Sequence, residues 1–226
     1  MFFDEYYFLL VLPTLIISMI AQFFVKSTFS KYSKVRSSRN ITGSQAASLI
    51  MQKNDINNVG IESVRGSLTD HYDPRAKKLR LSEPVYGQAS IAAIGVAAHE
   101  AGHAIQHARS YGPLALRSGL VPIANIGSRF GPLIAIAGLF MYNDLLLNIG
   151  IFLFGGAVLF YLITLPVEFN ASARALRLIK DENILTADEL KGAQKVLTAA
   201  AMTYVASALT AIMSLLRLFL LRGRRR

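Results

Sequence analysis

The sequence predicts a mainly α-helical membrane protein that carries a small α+β domain with a short sheet. Three observations lead there. The 226 residues are 53% hydrophobic and only 17% charged, a balance that belongs to bilayer-spanning chains rather than soluble ones. The apolar residues gather in long runs, at 6–25, 114–142, 145–165 and 199–221, and a bilayer span needs about 20 residues. Between the first and second runs lies a polar stretch, residues 30–116, in which helix starts, turn signals and two-residue alternation follow one another.

The first run, within residues 1–29, reads as a transmembrane anchor. It has no small-residue cleavage site, so it is not a removable signal peptide. Asp4 and Glu5 precede it, and Lys26, Lys31, Lys34, Arg36 and Arg39 follow. That asymmetry places the N-terminus outside and the basic side in the cytoplasm. In the polar stretch, Thr42-Gly43 reads as a helix start, with 46–53 continuing the helix and 54–60 breaking it. Residues 61–68 and 70–82 read as two or three short strands, with a turn at Asp73-Pro74-Arg75-Ala76. Leu79-Arg80-Leu81-Ser82 alternates apolar with polar, as an exposed edge strand does. Ser90 is the expected N-cap of a helix running to about Arg109.

Residues 117–166 read as a transmembrane hairpin whose turn, Asn143-Asp144, carries no Lys or Arg and faces outside. Its first leg is residues 130–142 plus part of what precedes them. Residues 167–198 return to polar character: Glu168 stands at an expected helix start, 169–180 is a basic helical stretch, and Thr186 with Glu189 forms a capping box for another helix. Residues 199–226 form an apolar helix with a basic tail. A fourth span would put that tail outside, against the charge rule, so the last helix is expected either not to cross or to be partly buried.

Composition also excludes. There is no cysteine, so neither a disulfide nor a thiolate metal site is possible. The net charge of +10 collects beside apolar runs, which fits membrane topology better than nucleic-acid binding.

The densest chemical signal is His99-Glu100-Ala101-Gly102-His103, an HExxH motif in an alanine-rich helical run. Residues four apart share a helix face, so His99 and His103 can present two imidazoles to one Zn²⁺, with Glu100 placed as general base. A catalytic zinc needs a third protein ligand. His107, one turn further, lies too nearly in line to close a tetrahedron and is expected to be structural or supporting. Asp144 falls one membrane crossing away. Glu168 falls two crossings away and so returns to the motif's side; its bland alternative is a salt bridge with Arg174 or an interfacial anchor. His71 and Tyr204 are weaker candidates for stabilising a developing oxyanion, each set against an ordinary structural role. Residues 79–82 could take an extended substrate as an added strand.

At these residues the chain resembles a known family. Asp70-His71-Tyr72-Asp73-Pro74, Leu79-Arg80-Leu81-Ser82, the run from Val96 through the motif to Gln106, and Glu168-Phe169-Asn170-Ala171-Ser172 resemble the YugP-type neutral zinc metallopeptidases of bacterial membranes. The likeness covers nearly the whole chain, and the 99–106 segment is its most specific part. The layout is also similar to HtpX-like membrane proteases. Such a resemblance implies a zincin-like catalytic domain in two parts, residues 30–116 and 167–198. It further implies a gluzincin-like site with His99, His103 and Glu168 on zinc and Glu100 as base, facing the cytoplasm. HtpX-like proteins commonly have an aspartate four residues after the ligand glutamate; this chain has Ser172 there. No AAA ATPase motif is present, which argues against an FtsH-like machine.

The expected function is hydrolysis of peptide bonds in membrane or misfolded proteins by a multi-pass zinc metalloendopeptidase of the cell membrane. Its expected partners are a protein or peptide substrate and the bilayer, and not nucleic acid. Two alternatives stand beside it: an intramembrane site-2-type protease, if 89–98 sits in lipid, and a non-enzymatic metal-binding membrane protein.

Overall fold

A computed structural model describes residues 4–224. The final arginines of the basic tail, Arg225 and Arg226, lie outside the described residues. The chain is mainly helical, with seven α-helices and one three-stranded sheet among the described residues. The helices are α1 (Leu12–Ser33), α2 (Gly43–Lys53), α3 (Glu83–Tyr86), α4 (Ile91–Ala108), α5 (Gly112–Phe140), α6 (Asp144–Asp181) and α7 (Ala187–Gly223). A π-helical turn, Tyr7–Val11, leads into α1. The strands are β1 (Gly60–Val64), β2 (His71–Asp73) and β3 (Lys78–Ser82). Four helical segments are long and apolar enough to cross a bilayer: Tyr7–Ser33, Gly112–Phe140, Asp144–Asp181 and Ala187–Gly223.

The chain divides into two compact units. The first comprises Met1–Gln22, Ala115–Pro166 and Met202–Arg226. Its helices pack through small residues. A Cβ added at Gly131 of α5 would stand 2.8 Å from the Phe154 amide nitrogen, and one at Gly150 of α6 only 2.2 Å from that of Ala135. Gly127 and Gly131 are spaced as GxxxG, and glycine lets helix backbones touch where lipid gives no hydrophobic drive to associate. Ser18 of α1 and Thr210 of α7 share a hydrogen bond of 3.2 Å. Large apolar side chains such as Phe152 (82% exposed) and Leu145 (69%) cover the outside.

The same unit bears on the awkward basic tail. The Arg217 Nε donates to Asp4 Oδ2 at 3.0 Å, and Arg224 pairs with Glu5. The end of α7 thus meets the acidic residues ahead of α1. A rule that counts arginines in sequence cannot see that these two are neutralised by partners some 200 positions away, 213 and 219 residues by separation.

The second unit comprises Phe23–Leu114 and Val167–Ala201. Its core joins α2, β3, α4 and parts of α6 and α7 through Ile50, Leu79, Leu81, Ile94, Ile105, Ile179 and Val196. The helix starts match the sequence signals. Thr42 and Gln45 close a capping box on α2, Ser90 Oγ accepts from the Ala93 amide, and Thr186 and Glu189 cap α7 reciprocally. The turn at Asp73 forms because its Oδ1 accepts the Arg75 and Ala76 amides.

Four expectations are corrected. The sheet order is β1-β3-β2, so residues 79–82 lie in the central strand, not at an edge. Their alternation reports a one-sided sheet instead: Leu79 and Leu81 are fully buried, while Arg80 on the other face pairs with Glu62 and Asp73. The hairpin's first leg begins at Gly112 and passes through Pro122 and Pro132. α6 runs unbroken through Pro166, so Glu168 sits inside a long helix rather than at a helix start. The capped helix at 187 and the last apolar run are one helix, α7. Each proline costs one helical hydrogen bond, and packing of the surrounding helix outweighs it.

Candidate metal centre

The site lies within the second unit, where α4 meets α6. Gly102 makes the approach possible: a Cβ there would stand 2.8 Å from the Ala171 carbonyl oxygen and 3.3 Å from its Cα. Ala171 is itself fully buried. Small residues at 101, 102 and 171 therefore let the two helix backbones touch, and Glu168, one turn before Ala171, is carried to the histidine face of α4.

His99 and His103 stand with ring centroids 4.7 Å apart and planes at 87°. Their Nε2 atoms lie 3.2 and 3.5 Å from Glu168 Oε2. The three ligand atoms all fall within 4.8 Å of one another, and all three side chains are buried. Bond lengths of about 2.0–2.1 Å in a tetrahedron put two ligands about 3.4 Å apart, which is the separation found on both Glu168 edges. The donor set thus fits zinc. Burial by itself would push the His103 pKa down, but the Glu168 contact and the Glu100 charge outweigh it and hold it above the ordinary histidine value. The pocket calls for a positive charge, and a bound metal supplies one without a proton.

Further partners orient the two imidazoles. His99 Nδ1 lies 3.0 Å from Ser172 Oγ, and His103 Nδ1 lies 3.0 Å from Gln106 Oε1. Glu100 is buried in the same helix at 8% exposure. His107 stays outside the group of three; its Nδ1 bonds the Tyr72 hydroxyl at 2.8 Å. His71, on β2, is exposed, and its Nδ1 donates to the Thr69 carbonyl. Tyr204 is on α7 within the other unit. Asp144 opens α6 within that unit as well.

Gln106 and Asn170 went unassigned in the sequence reading. The sequence signal for Gln106 was a lone amide side chain in an alanine-rich helix, three residues after His103; the structure buries it completely.

With this geometry in place, the comparisons are direct. The model of a family described as "Putative neutral zinc metallopeptidase" matches residues 7–223. The chain belongs to this family. It is similar to "Putative membrane protease YugP" of Bacillus subtilis (strain 168), with 50% identity over 217 residues, covering 95% of this chain and 96% of that protein. No solved structure matches the chain. Membership, the four bilayer-length helices and three side chains positioned to bind a metal agree on a multi-pass membrane protein of a zinc peptidase family, with zinc as the cofactor.

Proposed function

We propose that the chain is a membrane-embedded zinc endopeptidase in which His99, His103 and Glu168 hold the metal and Glu100 is the general base. The observation that carries this reading is the convergence of two α4 imidazoles and an α6 carboxylate, 69 and 65 residues apart in sequence, with a second carboxylate, Glu100, buried on α4. When bound, zinc supplies Lewis-acid polarisation of a carbonyl and acidifies water. Glu100 accepts the proton of the attacking water and returns it to the departing amine nitrogen. Ser172 and Gln106 hold the imidazole rings in place.

The substrate class is protein or peptide. Residues 30–116 and 167–198 would form the catalytic part and the remaining helices the membrane part, with the site on the cytoplasmic side. The intramembrane reading is weaker because α4 is not among the four helices long and apolar enough to span. His71 and Tyr204 are assigned no step.

The test is Glu100→Gln in the purified full chain. Zinc content should stay near that of the wild type while hydrolysis of an unstructured protein substrate falls by about 10³-fold or more, since it loses the base and not a ligand. Hydrolysis at the wild-type rate would remove Glu100 as the base, and a zinc-loaded wild type that hydrolyses nothing would leave only a metal-binding role.

A further inference from the structure

The structure assigns Gln106 as the residue that fixes the His103 tautomer, through an amide relay that starts at Arg174 and at the Val167 carbonyl. This rests on His103 being a zinc ligand.

The chain of donors and acceptors has one consistent solution. Arg174 Nε can only donate, and it lies 2.7 Å from Asn170 Oδ1. Asn170 therefore turns its oxygen toward Gln106, whose Nε2 donates to it at 3.0 Å. The Val167 carbonyl can only accept, and the same Gln106 Nε2 donates to it at 2.9 Å. Two independent anchors, a guanidinium and a main-chain carbonyl, thus set the same amide orientation. The reversed amide would put oxygen against oxygen at both contacts. With Nε2 so engaged, Gln106 Oε1 faces His103 Nδ1 at 3.0 Å. An amide oxygen can only accept, so Nδ1 carries the hydrogen and Nε2 offers its lone pair toward Glu168 and His99.

His99 is held differently. Its Nδ1 partner, the Ser172 hydroxyl, can donate or accept. A serine there orients the ring but does not dictate its tautomer. The directional burden of the site falls on His103 and on α6, because Val167, Glu168, Asn170, Ser172 and Arg174 all belong to that helix. α6 supplies the third ligand, the outer partner of His99 and both anchors of the Gln106 amide, so ligand position and ligand tautomer are set by the same packing of α6 on α4. Second-sphere partners of this kind are worth about 10–100-fold in metal affinity.

The test needs no turnover. In the zinc-free full chain at alkaline pH, nitrogen-15 spectra of labelled histidine should show His103 in the Nδ1–H form. Gln106→Leu should give a mixed or reversed tautomer and weaken zinc, measured by competition with a chelator, by about 10–100-fold. Because that variant also removes the side-chain hydrogen bond to the Val167 carbonyl and could fold poorly, Asn170 provides a second comparison one step out. Asn170→Asp keeps the acceptor for Gln106 and Arg174 and should stay near wild type, while Asn170→Leu should move part of the way toward Gln106→Leu. A wild-type His103 in the Nε2–H form overturns the assignment. So does zinc affinity in Gln106→Leu equal to that of the wild type. If the zinc-loaded wild type hydrolyses no peptide, the peptidase reading fails while these tautomer and affinity measurements stand unaffected.

Discussion

Gly102→Ala is the sharpest probe of how the site is assembled, because the same substitution seven residues earlier should do the opposite. The added methyl at position 102 would meet the Ala171 carbonyl oxygen at 2.8 Å. Ordinary contact begins at 3.4 Å, so the helices must part by roughly 0.5 Å or rotate to relieve it. Both atoms at risk are backbone, with no side chain to swing aside. Overpacking of this kind costs about 1–3 kcal/mol, against about 1 kcal/mol regained in helix propensity. The geometric effect matters more. Ala171 is one turn from Glu168, and metal ligands must hold their distances to within about 0.2 Å. A displacement two or three times that tolerance should weaken zinc by roughly tenfold or more, since each 1.4 kcal/mol of ligand misplacement is a factor of ten. At Gly95 the nearest atom to an added methyl is the Ala193 Cβ at 3.4 Å, an ordinary contact. Gly95→Ala should therefore keep its zinc and gain up to about 1 kcal/mol of stability. The assay is chelator competition together with thermal melting of the purified variants in one detergent. Gly102→Ala with wild-type zinc affinity, or Gly95→Ala as damaging as Gly102→Ala, would refute the reasoning that the glycine exists to let α6 deliver Glu168.

Three further outcomes are expected. Glu168→Ala should lose most of its zinc while His107→Ala, bonded to Tyr72 outside the ligand group, should retain most of it; metal analysis of the two side by side decides, and the reverse order would displace Glu168 as a ligand. Single cysteines at 77 and 143 should differ toward an impermeant thiol reagent on intact cells, with 143 labelled and 77 protected; the opposite pattern inverts the proposed orientation. The Lys78 and Arg80 hydrogen bonds hold the Glu62 carboxyl below its ordinary value, and the Ala76 amide together with Arg80 does the same for Asp73. A depressed carboxylate stabilises the fold above its unfolded pKa, and that contribution is lost as pH falls through the folded value. Acid melting curves of Arg80→Gln should therefore lose less stability than wild type as pH drops from neutral through the carboxylate range, and an equal or steeper loss would count against the network.

Much of the local structure was legible because it is local chemistry. Thr42, Ser90, and Thr186 with Glu189 act on neighbours three positions away, and each stands at the helix start expected of it; the structure adds Gln45 as the reciprocal partner of Thr42. The histidine pair was legible for the same reason: a helix places residues four apart on one face whatever surrounds it. Misreadings came where a local signal has two tertiary meanings. Glu168, where polar character returns after the hairpin, reads as a helix start, yet it lies inside a 38-residue helix that runs through Pro166. The alternation at 79–82 is the same for an edge strand and for a central strand with one solvated face, and only the pairing of β1 and β2 on either side of β3 tells them apart.

By itself the sequence determined the membrane class, the motif helix and the chemistry of a zinc site without thiolates, since apolar length, helical period and residue type are properties of short segments. The tertiary structure alone decided which carboxylate faces the histidines and what holds them in register. Glu168, Gln106 and Asn170 meet across two helices more than 60 positions apart. That meeting depends on a backbone approach at Gly102 so close that an added Cβ would stand 2.8 Å from the Ala171 carbonyl oxygen, an approach set by the packing of whole helices and carried by no segment on its own.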